Sequence, residues 1–480
     1  MLVGKAFACT LLQAKSTTFC EVTTNMRSLT GSLTLNTGKW GTAAEQRLQA
    51  LDLFLKILVP AFLLVCLVAA IKYGSFSGYL YLLSRQSYAT PLVALGSAFT
   101  VVVLGFQVLR TYFWLRYKPY SLPTGVLPKV TVIVPAYNEG AMVEKALYSA
   151  VASDYPADRL EIICIDDGSK DDTWVYIERA QKRFPSLIKA IRFPKNRGKK
   201  EGLYAGFSQG TGDFFVTIDS DSVISPDTIK QVIAPMMSDP KVGAVAGNVK
   251  VYNRFRSILA RMLAVRFVLA FDFLRASQSV YGFVTCTPGA LSAYRKDALL
   301  PVLEEWRHQT FLGAPATIGE DRALTNYVVR QGFYSVYQRT ARVHTVVPET
   351  YKGLVKMYLR WDRSNFRESW VQLTFLFRKY RQRDRVLPIL DFFVTQFEFP
   401  LTYLFIGLMV LSFVAYPILV VKFLAGMGVL TLVYMYYYLH QERDGEYVYG
   451  ILYAYFAFFA LYWVTPYAFI TLKNDRWLTR

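Results

Sequence analysis

Strand-length apolar runs that alternate with single amphipathic helices, set between stretches apolar enough to cross a bilayer, predict an α/β domain inside a membrane protein. Strands separated by single helices build βαβ units and a largely parallel, Rossmann-like sheet. A third observation locates the chemistry: acids gather directly after two of the runs, as Asp166-Asp167 and Asp219-Ser220-Asp221. Ligands of such sheets bind beyond the carboxyl ends of the strands.

The elements follow in chain order. Residues 1–50 are polar and Ser/Thr-rich and read as a cytoplasmic tail; the apolar run 6–12 after Lys5 is too short for a signal peptide. Residues 51–117 hold two spans, about Leu53–Ile71 and Pro91–Leu109, each with roughly the 20 residues that crossing requires. A Pro-punctuated linker from Lys118 opens the α/β domain, residues 118–347, with strands expected at Val130–Val134, Glu161–Ile165, Ile188–Phe193 and Phe214–Ile218. Helical periods fall between them, at Val143, Ala146, Leu147, Ala150 and at Ile177, Ala180, Phe184. Residues 348–387 are aromatic and basic and read as one or two amphipathic interfacial helices. Residues 388–480 are apolar again. Three spans there put the C-terminus opposite the α/β domain, whereas Lys473, Arg476 and Arg480 favour the same side. An irregular segment near Pro400 or Pro417 would change the parity.

Composition narrows the function. Of 480 residues 53% are hydrophobic, and Lys plus Arg outnumber Asp plus Glu by 54 to 35. The excess base is not gathered in the α/β domain, as nucleic-acid binding would require. It crowds beside apolar segments, at Arg110, Arg116 and Lys118 and at Arg378, Lys379, Arg381 and Arg383, so the partner is the lipid bilayer and not nucleic acid. The five cysteines form no metal spacing; Cys66 and Cys164 read as small apolar core residues. Three scattered histidines exclude a histidine triad or zinc site.

Five clusters carry chemistry: Val134-Pro135-Ala136-Tyr137-Asn138-Glu139, Asp166-Asp167-Gly168-Ser169, Asn196-Arg197-Gly198-Lys199, Asp219-Ser220-Asp221 and Gly319-Glu320-Asp321. Each alone has an ordinary reading, as a turn, a helix cap or a solvated loop. The acid pair at 219 and 221 offers hard oxygen ligands to Mg²⁺ or Mn²⁺. In this order the clusters resemble the inverting, processive family-two glycosyltransferases with a GT-A domain. Further segments are similar to the hyaluronan synthase branch, near the chitin and nodulation chito-oligosaccharide synthases: Cys286-Thr287-Pro288-Gly289, Gln309–Tyr327, Leu359–Glu368 and the terminal Trp477-Leu478-Thr479-Arg480. Val346–Thr350 resembles the nodulation synthases.

The resemblance implies a multi-pass plasma-membrane enzyme, its catalytic domain cytoplasmic, that transfers sugar from a UDP-sugar donor to a growing polysaccharide acceptor. It assigns UDP to Pro135, Tyr137, Glu139, Asp166, Asp167, Lys199 and Asp219, and Mg²⁺ or Mn²⁺ to Asp219 and Asp221. Asp321 is implied as the general base, Arg360 as a diphosphate contact, Trp361 as an acceptor-side contact, and Cys286 and Glu320 as further acceptor contacts. The first product it implies is hyaluronan, from UDP-GlcNAc and UDP-GlcA; chitin-type synthesis from UDP-GlcNAc alone is the alternative, and a polyprenyl-phosphate sugar transferase stands behind both. One departure stands out: the family's Gln-x-x-Arg-Trp motif has Met357 in the glutamine position.

Overall fold

The computed structural model describes residues 43–72, 89–382, 384–415 and 417–474. Most of the N-terminal tail, Cys9, Cys20, Arg383 and the terminal Trp-x-Thr-Arg signature lie outside them. Residues up to Ile57 contribute the first turns of helix α1 (Ala43–Lys72), where Lys56 Nζ reaches Asp52 Oδ2 one turn back at 3.0 Å. Leu58 onward is one compact unit.

The four expected strands form as β1 (Val130–Ala136), β2 (Leu160–Asp166), β3 (Ile188–Arg192) and β4 (Phe214–Ile218), all mutually parallel where they pair. Each of β1 and β4 is buried along its whole length, which is why they read as continuous apolar runs rather than alternations. Sequence reading had not marked β5 (Ser222–Ile224), β6 (Val242–Val251), β7 (Leu291–Arg295) or β10 (Tyr334–Thr345), which complete the sheet in the order β3-β2-β1-β4-β7-β6-β10-β5. β7 runs antiparallel to β4 and β6, and β5 antiparallel to β10, so the sheet is mixed but mostly parallel. A two-stranded ribbon, β8 (Thr310–Phe311) and β9 (Ala314–Pro315), stands apart.

Helices cover both faces. On one side α3 (Met142–Val151), α4 (Thr173–Arg183) and α6 (Thr228–Ser238) bury Val143, Leu147, Ile177, Ile229 and Val232 against Val132 and Val134 of β1. On the other, α5 (Lys199–Gln209) buries Leu203 and Phe207 against Ile133 and Phe215. The alternation of Val132, Ile133 and Val134 between these two layers is the two-residue period of a central strand.

The rest of the structure is largely helical. Among the described residues four helices are long and apolar enough to cross a bilayer: α1, α2 (Ala89–Arg116), α13 (Val386–Ala415) and α14 (Ile418–Glu442). α7 (Ile258–Val268) continues through a π-turn into α8 (Leu274–Val280), which packs on α2. After the short α9 (Lys296–Leu299) and α10 (Leu303–Arg307), α11 (Glu320–Arg330) packs on α12 (Tyr351–Leu376). The stretch expected to hold one or two interfacial helices contains one 26-residue helix, Tyr351–Leu376. Pro400 sits inside α13, so the chain breaks near Pro417 and not there. The final apolar stretch is α15 (Tyr447–Phe456) and α16 (Val464–Ile470), bent by 44° between Leu461 and Val464. Its two ends are tied to other elements: Glu446 faces Arg254 after β6 and Arg261 of α7, Tyr449 Oη accepts from Arg261 Nη1 at 2.9 Å, and Thr471 Oγ1 accepts from Arg363 Nη2 of α12 at 2.8 Å.

Candidate active site

Parallel pairing of β1 with β2 and β4 brings Ala136, Asp166 and Ile218 to one edge, and the chain segments that leave this edge build a cavity of about 1590 Å³. Pro135, Tyr137, Glu139, Asp167, Lys199, Asp219, Asp221, Cys286, Glu320, Asp321, Arg360 and Trp361 all line it. Asp166 does not. It lies fully buried beneath the wall, accepting from the Ser169 amide at 3.0 Å and facing Arg192 Nε at 3.3 Å, where it shapes the turn that presents Asp167.

Asp167 accepts the amides of Arg197 (2.6 Å) and Gly198 (2.8 Å), so the Asn-x-Gly-Lys loop is folded onto it. Burial nevertheless raises its pKa, with those two amides opposing. The same loop starts α5 with Lys199, whose ammonium bridges Asp219 Oδ1 (2.5 Å) and Glu320 Oε1 (2.9 Å). Burial opposes the lysine's charge, but the two carboxylates overcome it and hold its pKa above the ordinary value. Gly289 seats the loop before β7 on this bridge; a Cβ there would stand 2.7 Å from Lys199 Nζ.

Glu320 and Asp321 open α11, where the positive end of the helix favours acids. Their environments push them apart. Glu320 is nearly inaccessible, yet Lys199 and then Arg360 overcome burial and hold it low. Asp321 is raised, by burial first and the neighbouring Glu320 charge second. Its two oxygens accept the amides of Arg322 (2.7 Å) and Gly289 (3.1 Å). An adjacent pair of acids with divergent affinities for protons is how a site keeps one carboxylate as a charge and tunes the other as a base.

α11 is locked to α12 by buried polar bonds. Arg322 Nη1 donates to Asn365 Oδ1 (2.8 Å), its Nη2 to Ser369 Oγ (2.9 Å), and Asn326 Nδ2 to the Glu368 carbonyl (3.0 Å). Arg367 donates to the Ile318 carbonyl. Gly319, at φ +70°, lets the two helices touch: a Cβ there would fall 1.6 Å from Ser364 Oγ. Through this contact α12 presents Arg360 and Trp361 to the cavity, Trp361 held edge-to-face by Tyr358 at 5.7 Å. Met357 also lines the wall one turn before Arg360.

Two acids spaced as Asp219 and Asp221 suit a divalent cation that draws its remaining ligands from phosphate and water. Among the described residues no group of three or more His, Cys, Asp or Glu could enclose a metal alone. Asp221 accepts from Thr345 Oγ1 at 3.0 Å, and burial, then the Asp219 charge, push it up to about 6. The hard carboxylate oxygens of this pair, beside the nucleotide end of the cavity, make a donor set that fits Mg²⁺ or Mn²⁺.

Sequence reasoning missed the roles of Gly289, Thr345 and Arg322, for which no local signal exists. It read Arg110 only as a base beside a span and gave no role to Asp391 or Glu398, whose signal was present: ionisable residues within a largely apolar block.

The fold and the residues at its strand edge define a glycosyltransferase of GT-A architecture. Residues 128–364 match the family model described as glycosyltransferase like family 2. An N-acetylglucosaminyltransferase of Rhizobium leguminosarum is 32% identical over 366 residues, covering 75% of this chain and 83% of that protein. A hyaluronan synthase of Streptococcus pyogenes is 30% identical over 423 residues, 87% and 95% of the two chains. Among solved structures, the mannosyltransferase PcManGT from Pyrobaculum calidifontis, in complex with GDP-Man and Mn²⁺, superposes with a TM-score of 0.55 at 22% identity, covering 76% of this chain and 96% of that one. The chain belongs to glycosyltransferase family 2 and is a membrane-associated hexosyltransferase.

Proposed function

We propose that this protein is an inverting, processive β-glycosyltransferase that polymerises sugars from UDP donors at the cytoplasmic face of the plasma membrane. The observation that carries the reading is the Asp219–Lys199–Glu320 bridge beside Asp321, in one cavity with Asp167 and with Arg360 and Trp361 of α12. Pro135, Tyr137, Glu139 and Asp167 hold the uridine side of the donor, with Asp166 as the buried support beneath them. Asp219 and Asp221 would hold a divalent cation, which when bound would supply positive charge to the donor's diphosphate. Arg360 contributes fixed charge to the same leaving group. Asp321 takes the proton of the acceptor hydroxyl as that oxygen bonds to the anomeric carbon; the bond from this carbon to phosphate breaks in line, and UDP leaves with its electrons. Attack opposite the leaving group converts an α-linked donor to a β-linked product. Trp361 offers a flat face to the acceptor sugar, and Cys286 and Glu320 stand near it.

The polymer has two candidate identities. The sequence block Gln309–Tyr327 favours hyaluronan, from UDP-GlcNAc and UDP-GlcA; the alternative, a chito-oligosaccharide-type chain from UDP-GlcNAc alone, is favoured by the segment Val346–Thr350. Asp321→Asn tests the mechanism. It should abolish UDP release from donor plus acceptor while UDP binding, read by calorimetry, stays within a few-fold of the parent. Parent-like turnover in that variant would remove Asp321 from the base role.

A further inference from the structure

Directly after Lys199 comes a second lysine, of which the proposed chemistry makes no use. Lys200 stands behind the cavity wall rather than in it and is 6% exposed. Its ammonium donates to the Ala316 carbonyl at 3.1 Å and lies 5.2 Å from the centre of the Trp306 ring. Among the described residues it makes no ion pair. Burying an ammonium away from any carboxylate is costly, and ordering a lysine side chain adds to that cost. Packing alone would be served as well by an apolar side chain of the same length.

The bond it makes points to the reason. Residues 316–319 lead to Glu320 and Asp321 without helix or strand, so no ladder of backbone bonds holds them. Side chains from three elements do so instead. Lys200 of α5 takes the Ala316 carbonyl, Arg367 of α12 takes that of Ile318, and Trp306 Nε1 of α10 takes that of Glu320 at 3.0 Å. Of the three, only Lys200 belongs to the nucleotide side. It follows the loop whose Arg197 and Gly198 amides bond Asp167, and it follows Lys199, which bridges Asp219 and Glu320. α5 therefore begins with two lysines that grip the base-bearing segment at its two ends, Lys199 by the Glu320 carboxylate and Lys200 by the Ala316 carbonyl. Lys200 also backs the indole that supplies the third anchor.

The charged groups that face Lys200 are Arg367 and Glu368 of α12, Glu320 of α11 and Glu201 of α5. Burial first, and Arg367 second, bring its pKa down to about 8, with the three glutamates opposing. An ammonium bonds a carbonyl more strongly than a neutral amine does, so this anchor weakens as pH rises through about 8.

We propose that Lys200 is a positioning residue for the transfer reaction, tying the segment that carries Asp321 to the nucleotide loop and so fixing the base from the donor side. The inference rests on the reading above, in which Asp321 is the base. UDP release by the full chain in membranes, with UDP-GlcNAc and UDP-GlcA supplied together, gives kcat and donor KM. Lys200→Met keeps the aliphatic stem over Trp306 and removes the donor. Its kcat should fall about tenfold or more, as a displaced base requires, while donor KM stays within about twofold because Asp167, Lys199 and Asp219 are untouched. Lys200→Arg keeps a cation over the indole and a donor for the carbonyl. Because a guanidinium stays charged, the fall in kcat that the parent shows above about pH 8 should shrink in this variant. That comparison needs only Lys200→Arg and stands even where Lys200→Met fails to fold. Parent-like kcat in Lys200→Met, a loss matched by a rise in donor KM, or an alkaline fall that arginine leaves unchanged would each overturn this inference and leave the synthase reading standing. Parent-like turnover in Asp321→Asn overturns both.

Discussion

Gly319→Ala is the sharpest perturbation of the base, because it deletes no functional side chain and acts on Asp321 only through backbone position. The glycine occupies the left-handed region at φ +70°, which costs an L-residue roughly 1–2 kcal/mol. The new Cβ would also meet Ser364 Oγ at 1.6 Å and Ser364 Cβ at 2.4 Å. Rotating the serine hydroxyl away removes only the first clash. Carbon–carbon contact needs about 3.5 Å, so the first turn of α11 must still withdraw by about 1 Å. α12 cannot yield instead, since Arg322, Asn326 and Arg367 bind the two helices through buried bonds. Asp321 rides on that turn, and a displacement of 1 Å in a catalytic group costs about 100-fold in rate. At saturating donor, UDP release should therefore fall about 100-fold while donor KM changes little, because Asp167, Lys199 and Asp219 sit on other elements. Ser364→Gly in the same chain removes both clashing atoms and should restore most of kcat; Ser364→Ala leaves the Cβ and should not. Parent-like kcat in Gly319→Ala, or a loss that Ser364→Gly leaves untouched, would refute the claim that this contact places Asp321.

Three further outcomes are expected. Chelation of divalent ions should stop UDP release and Mn²⁺ or Mg²⁺ should restore it; undiminished turnover in chelator would take Asp219 and Asp221 out of a metal site. Burial pushes the Asp362 carboxyl up to about 6, with Thr465 and Arg266 opposing. An acid whose folded pKa exceeds its unfolded value near 3.9 favours the fold at low pH, a contribution lost as pH rises from about 4 through 6. Melting temperature in detergent should thus fall over that window by more in the parent than in Asp362→Asn, and parallel curves would contradict the assignment. Finally, the bent pair begins beside Arg261 of α7 and ends on Arg363 of α12, two helices that also line the catalytic cavity, so a cysteine replacing Lys473 should be protected in sealed, right-side-out cells from impermeant maleimide and labelled once they are opened. Labelling from outside would make the bent pair a full crossing.

How much of this was legible depended on where each residue's partner lies. β1 to β4 announce themselves because strands buried on both faces must be apolar throughout. β6 hides because its neighbours require it to be small: a Cβ on Gly247 would fall 2.3 Å from Leu291 of β7, and one on Gly243 would meet Phe333 at 2.6 Å. Those demands come from distant sequence and leave only a glycine-rich run that reads as loop. The same distinction divides the site. Asp167, Asp219 and Asp321 stand in local motifs, so their places at strand and helix ends could be anticipated. That Glu320 is a counter-ion to Lys199, and Asp321 the raised acid beside it, depends on α5 and α11 meeting across the sheet edge. In the spans the asymmetry is sharper still. By sequence Arg110 is a base flanking the second span and Asp391 stands at the start of a later apolar block, and 281 residues separate them. Their pairing, with Gln278 on the other Asp391 oxygen, exists only because α2, α8 and α13 meet in the fold, and no local pattern could announce it.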